Sequence, residues 1–213
     1  MRPGLVLLAE APLPAQDAAE ALDAWGKRFE DARARLPDEG ALWVFARHGW
    51  RDGALLPWPY LLAERAQAAG LRFKAVLVRH EPLDAPEGKP FTAAHELVLH
   101  LVASLADYRF DKAPLREPHV YKDREWGRRS VGTTGYHGRT TTRYRPEGKD
   151  PGNVLHRARR DADGVFLAME PYPRRALARR LALASSAAGW TVATNLGLTR
   201  RDVPGREVVR LAW

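Results

Sequence analysis

Short apolar runs and segments of helical periodicity take turns along the first half of the chain, and this alternation constrains its fold more than any other feature. "GLVLLAEA" reads as a buried strand, and from Asp17 to Leu36 apolar residues return at helical spacing through Ala18, Leu22, Trp25, Phe29 and Ala32. "PDEGALWVFAR" gives a turn, with "DEG" stopping the helix, and then a second strand from Ala41 to Ala46. Pro59 to Ala69 reads as a helix closed by Gly70, and "LRFKAVLVRHEP" as a third strand. A fourth apolar run, "ELVLHLVASL", fits strand or helix by periodicity alone. Strands separated by helices of about 12 to 20 residues form βαβ units, so the expectation is an α/β fold with a mostly parallel sheet.

The texture changes between Asp111 and Asp161. Apolar periodicity stops, and Gly, Thr, Arg and aromatics mix in "YKDREWGRRSVGTTGYHGRTTTRYRPEGKDPGN". So long a stretch inside a compact domain reads as an insertion or functional loop. Periodicity returns in "PRRALARRLALASSAAG", an amphipathic helix expected to end at Gly189, followed by two short strands, "WTVATNLG" and "REVVRLAW". A chain of 213 residues suits one domain, 1–213, with 111–161 as a basic insertion within it.

Charge is concentrated in the same region. From Asp111 to Arg180 there are 17 Lys and Arg against 9 Asp and Glu, while the rest of the chain carries 17 of each. A neutral scaffold with one basic module is the electrostatic footprint of a polyphosphate partner, because neutralising phosphates releases counterions. The module interleaves Lys122, Arg124, Arg128, Arg129, Arg139, Arg143, Arg145 and Lys149 with Tyr121, Trp126, Tyr136 and Tyr144. Arg reads phosphates or the guanine edge, and Gly and Thr permit close backbone approach, so a nucleic acid is the expected partner.

Other classes are excluded by what is missing. There is no cysteine, so neither disulfides nor thiolate metal sites form, and a reducing compartment is permitted. No apolar run reaches membrane-span length, and the chain reads as cytoplasmic, with no membrane partner. His95 and His100 stand five apart, about 140° round a helix, so they do not share the face that an HExxH zinc pair needs. His48, His80, His119, His137 and His156 are scattered, and no metal is expected. Neither a GxSxG elbow nor a dinucleotide or phosphate-binding glycine loop occurs.

The order of the pieces is more informative than any one of them. A strand ending in "EAPLP" comes first, then "LPDEGALWVF", "AGLRFKAVLVRHEP", "PFTAAHELVLHLV", "YRF" and the basic stretch, then "GKDPGNVL" and the helix leading to "WTVAT". This order resembles the β-class DNA amino-methyltransferases, which modify cytosine N4 or adenine N6. The resemblance spans nearly the whole chain and implies a methyltransferase-like Rossmann-type sheet flanked by helices, carrying a basic target-recognition insertion.

Carried over residue by residue, the resemblance implies damaged chemistry. Glu10, Ala11, Pro12 and Leu13 occupy the family's Asp/Asn/Ser-Pro-Pro-aromatic position, so Glu10 and Pro12 are its vestigial catalytic residues. That motif hydrogen-bonds the exocyclic amine and stacks a ring on an extruded base; Leu13 has no ring, and losing a stacking face costs about 1–3 kcal/mol. In the family's S-adenosylmethionine loop, Thr194 replaces an Asp and Gly197 is the one glycine kept, which makes them the vestigial cofactor residues. Gly205 to Val209 resemble the family's next strand, leaving no room for the intervening helix and the N-terminus that cradles the cofactor. Pro171 and Pro173 echo a turn that has lost its His, while the retained His95 and Glu96 read as a structural contact. The expectation is a DNA-binding family member, inactive alone and without cofactor. Two alternatives remain: an active methyltransferase using S-adenosylmethionine through an atypical loop or a partner's help, and a structural subunit of a homo- or hetero-oligomer.

Overall fold

The structure, a computed structural model, describes residues 4–15, 17–81, 95–117, 125–126, 142–143, 147–162 and 165–213. The chain opens with β1 (Leu5–Ala11), α1 (Ala18–Arg35), β2 (Ala41–Ala46), a hairpin of β3 (Gly49–Arg51) and β4 (Ala54–Leu56), α2 (Trp58–Ala68), β5 (Arg72–His80) and β6 (His95–Val102). It continues with β7 (Glu125–Trp126), β8 (Thr142–Arg143), β9 (Val154–Leu155), β10 (Arg157–Arg160), β11 (Phe166–Glu170), α3 (Arg174–Ala184), β12 (Thr191–Thr194) and β13 (Glu207–Arg210).

Local chemistry sets these boundaries. Asp17 caps α1, its carboxylate accepting from the Ala19 and Glu20 amides at 2.7 and 3.4 Å, while Arg33 and Arg35 meet the dipole's negative end. Trp25, Phe29 and Ala32 form the buried stripe of α1 at helical spacing. Gly70 closes α2 at φ +83°, a conformation that suits glycine. The β3–β4 turn places Asp52 at φ 50° and Gly53 at φ 78°, the mirror-image two-residue turn that Asp-Gly favours.

Seven strands form one sheet in the order β13-β12-β1-β2-β6-β5-β9. All neighbours pair in parallel except β6, which runs antiparallel to both β2 and β5. Side chains alternate between the faces. Leu7, Ala9, Leu42, Val44, Leu99 and Leu101 pack under α1 and α2; Val6, Leu8, Trp43, Phe45 and Val98 pack under Leu177, Ala178 and Leu181 of α3. Burial on both faces makes β6 a continuous apolar run, which is why periodicity alone left it open between strand and helix. Being a strand, it also puts His95 and His100 on opposite faces, since their separation is odd.

Two expectations shift. Helix α3 stops at Ala184, five residues before Gly189, with Ser185 as its cap. The 111–161 stretch is not wholly apart from the sheet either: β9 pairs with β5, and β10 with β11 as a hairpin. Among the described residues no helix is long and apolar enough to cross a membrane.

Candidate functional site at the carboxyl edge of the sheet

In a doubly wound sheet, ligands bind beyond the carboxyl ends of the strands where the strand order reverses. Here that point lies between β1, from which the chain steps to β2, and β12, from which it steps to β13. Asn195, directly after β12, ties the two strands together: its Oδ1 accepts the Glu10 amide at 2.9 Å, and its own amide reaches the Leu8 carbonyl at 3.4 Å.

Beside this crossing, three arginines and three glutamates form one network. Arg174, the first residue of α3, donates through Nη1 to Glu10 at 2.6 Å, and through Nη2 and Nε to Glu96 at 2.6 and 3.2 Å. Arg79 donates through Nε to Glu96 at 2.7 Å and through Nη1 to the Tyr172 carbonyl at 2.7 Å. Arg47 and Arg79 both pair with Glu81. The side chains of Arg79 and Glu96 are each 1% exposed, so removing either partner would leave a buried group of the other unpaired. Burial acts to lower the pKa of Arg174, but the charges of Glu96 and Glu10 outweigh it and leave it raised. A cation in the first turn of a helix opposes the macrodipole; Arg174 stands there because two carboxylates hold it.

The structure thus places Glu10 in an ion pair, with its backbone amide also bound. Leu13, two residues past β1, lies over the β3–β4 hairpin: a Cβ at Gly49 would stand 2.8 Å from Leu13 Cδ2. Pro12 lies in the exposed link between them.

The ends of β12 and β13 border an open cleft of about 1000 Å³, lined by Thr194, Asn195, Gly197 to Arg200 and Val208 to Trp213. Thr194 Oγ1 accepts the Leu196 amide at 3.0 Å, its carbonyl accepts from Leu211 at 3.0 Å, and Gly197 turns the chain at φ +71°. From 195 to 206 the backbone makes turns and no helix. Asp202 pins this connection to α3, accepting from Arg175 at 2.8 Å and from the Thr199 amide and hydroxyl at 2.8 Å each. The Arg175 hydrogen bond is the first reason that its pKa falls to about 2.

Of the DNA-contact candidates, Lys122, Arg124, Arg128, Arg129, Tyr136, Arg139, Tyr144 and Arg145 lie outside the described residues. The backbones of Trp126 and Arg143 meet in the β7–β8 pair, where Trp126 faces Thr142 and Arg143 faces Glu125. Lys149 exchanges both backbone hydrogen bonds with Glu117, and its Nζ lies 3.4 Å from the Glu117 carboxylate. Among the described residues no cluster of three or more His, Asp or Glu is arranged for a metal.

Sequence reasoning missed Arg47, Arg79, Arg174 and Asn195. A usable signal existed for Arg174: a cation opening a helix straight after Pro-Tyr-Pro calls for a carboxylate nearby.

No protein-family model and no curated protein matches the chain. Solved structures do match in fold. PvuII DNA methyltransferase, cytosine-N4-specific, superposes with a TM-score of 0.65 at 11% identity, over 98% of this chain and 74% of its own. TTHA0409 of Thermus thermophilus, a provisional DNA modification methylase, gives 0.60 at 14% identity over 99% and 82%. Its complex with S-adenosyl-L-methionine gives 0.58 at 16% over 100% and 92%. The M1.HpyAVI–SAM complex gives 0.52 at 11% over 99% and 82%. At these identities the likeness is one of architecture: the chain has the Rossmann-like fold of DNA modification methylases.

Proposed function

We propose that this chain is a DNA-binding protein of the N4-cytosine/N6-adenine methyltransferase type, with degenerate catalytic and cofactor loops, that transfers no methyl group on its own. In this reading residues 1–213 form one methyltransferase-like unit and 111–161 its recognition insertion, through which Lys122 to Lys149 contact duplex DNA.

The observation that carries the reading is the ion pair of Glu10 with Arg174. A group that must accept hydrogen bonds from a base amine has to be free and correctly aimed. This carboxylate is already held at 2.6 Å by Arg174, and the backbone amide beside it is taken by Asn195. The cleft at β12 and β13 fits S-adenosylmethionine poorly. Among the described residues its lining includes Arg200 and Arg210 and no acidic side chain, so no side chain there balances a sulfonium cation or pairs with a ribose diol. The turns of 195–206 offer no helix N-terminus for the cofactor's carboxylate.

Two measurements test this. Calorimetric titration with S-adenosylmethionine is expected to give no heat of binding, and tritiated methyl transfer to mixed duplex DNA no incorporation; tight stoichiometric uptake would overturn the proposal. DNA affinity is expected to fall steeply with salt, with a log–log slope of about −0.9 per phosphate neutralised. Affinity that is absent or flat with salt would instead favour a structural subunit facing an acidic protein.

The volume of that cleft supports a second reading, an active enzyme whose cofactor site a partner completes. Methyl incorporation appearing only with a partner subunit present would select it.

A further inference from the structure

A separate cavity of about 440 Å³ opens on the α3 face of the sheet and shares no lining residue with the cleft at β12 and β13. Aromatic rings line it beside Leu77, Leu115 and Leu155. The His100 imidazole stacks on Trp43 with centroids 3.8 Å apart and planes 7° from parallel. Phe110 leans on the imidazole at 5.6 Å, and Tyr108 meets it edge-on at 5.7 Å. Trp43 cannot rotate away, because its Nε1 donates to Ser185 Oγ at 3.0 Å at the end of α3.

Two polar features stand out against these walls. His100 is 3% exposed, and its Nε2 is buried without a hydrogen-bond partner. Burial, and then the charge of Lys74, push its pKa down to about 3, so the ring is neutral and offers one donor and one acceptor nitrogen. At the mouth the Lys74 ammonium lies 4.9 Å from the Tyr108 ring centroid, and among the described residues no carboxylate pairs with it. The other mouth cation, Lys112, is taken by Asp150 at 2.8 Å.

A concave, largely apolar site of this size with a few convergent polar groups is the usual form of a small-molecule pocket. The chemistry of its lining selects the ligand. Stacked and edge-on rings favour a flat π-system over an aliphatic chain. An orphaned imidazole nitrogen is satisfied by a ring edge bearing hydrogen-bonding atoms, and the exposed Lys74 ammonium at the mouth is placed to attract an anion. We propose that this cavity binds a planar heteroaromatic anion, its ring among Trp43, His100, Tyr108 and Phe110, its edge hydrogen-bonded to His100, and its phosphate or carboxylate on Lys74.

The test titrates the full chain calorimetrically with adenosine 5′-monophosphate and indole-3-acetate, and with their uncharged counterparts adenosine and indole-3-acetamide. At least one anion is expected to bind, about fivefold more tightly than its uncharged counterpart. Lys74→Gln should erase that gap, and His100→Phe, which keeps the stack, should weaken the charged and uncharged members of the pair alike. Ala75→Trp fills the cavity from its exposed rim and should abolish binding without shifting the thermal midpoint. The proposal fails if none of the four probes binds at millimolar concentration, or if the gap survives Lys74→Gln. It also fails if binding survives Ala75→Trp, which would move the ligand to another cleft. Comparing phosphate with carboxylate probes identifies which anion the site prefers.

Discussion

Replacing Glu96 with Gln is expected to destabilise the protein far more than the same change at Glu10, although Arg174 holds both. Glu96 is 1% exposed and accepts from Arg79 at 2.7 Å and from Arg174 at 2.6 and 3.2 Å, with Arg47 Nε 3.6 Å away. A glutamine amide there turns a donor toward guanidinium donors and leaves a net positive charge buried around Arg79. Removing one partner of a buried pair costs about 3–5 kcal/mol. Glu10 is 41% exposed, and its carboxylate accepts from Arg174 alone among the described residues, so its loss falls in the range of about 0–1 kcal/mol for exposed pairs. In a chain of this length 1 kcal/mol moves the thermal midpoint by about 2–4 °C. The expected drop is therefore roughly 10 °C for Glu96→Gln and under about 4 °C for Glu10→Gln. Urea unfolding should show the same order in midpoint at unchanged slope. Arg174→Gln should also cost less on the Glu96→Gln background than in the native chain, a coupling of about 1–3 kcal/mol. Equal losses from the two glutamates, or simple additivity with Arg174, would refute the idea that burial makes the network decisive.

Gly148→Ala should cost about 2 kcal/mol or more in urea unfolding, because φ is +99° and the new Cβ would stand 2.4 Å from the Glu117 carbonyl oxygen. Gly49→Ala, which meets only the exposed end of Leu13, should cost under about 1 kcal/mol. Leu181→Ala empties a site at 0% exposure beneath α3 and should cost about 2–5 kcal/mol by the same assay. Asp202, with a folded pKa near 2 against an ordinary 3.8, adds stability that is whole above about pH 4 and is lost as pH falls toward 2. NMR shifts of Thr199 and Arg175 should titrate in that window in the native chain and stay flat in Asp202→Asn.

The alternation of strands and helices was legible because each element of the first half buries one face or both and so carries a clean period. Trp25, Phe29 and Ala32 mark the inner stripe of α1, and "ALWVFA" the doubly buried β2. The β3–β4 hairpin carried a signal too, Asp52-Gly53, but three-residue strands are too short to show a period. Strand β10 reads "RARR", so its polar face concealed it within the basic stretch. What was legible from motif order is that Glu10 and Thr194 stand near the carboxyl ends of neighbouring strands, β1 and β12. The occupants of that edge were not, because Arg174 reaches partners 164 and 78 positions away in sequence. No local pattern encodes such pairings; they exist only once β1, β6 and α3 are packed together.

This packing also relocates the charge that composition assigns to one third of the chain. Arg174 and Arg175 belong to the basic third, yet one is neutralised by Glu10 and Glu96 and the other by Asp202. Lys112 is spent on Asp150, Lys149 faces Glu117, and Arg159 lies 3.9 Å from Glu170. Short-range pairing cancels the field beyond about a Debye length, so these residues add little to the attraction of a distant polyanion. By count the remaining excess is densest in 118–146, where seven Lys and Arg stand against two acids. On the proposed reading the salt dependence of DNA binding originates there, and neutralising substitutions at Arg128, Arg129 and Arg139 should flatten the slope by about one unit each. The same substitutions at Arg174 and Arg175 should lower stability and leave the slope unchanged.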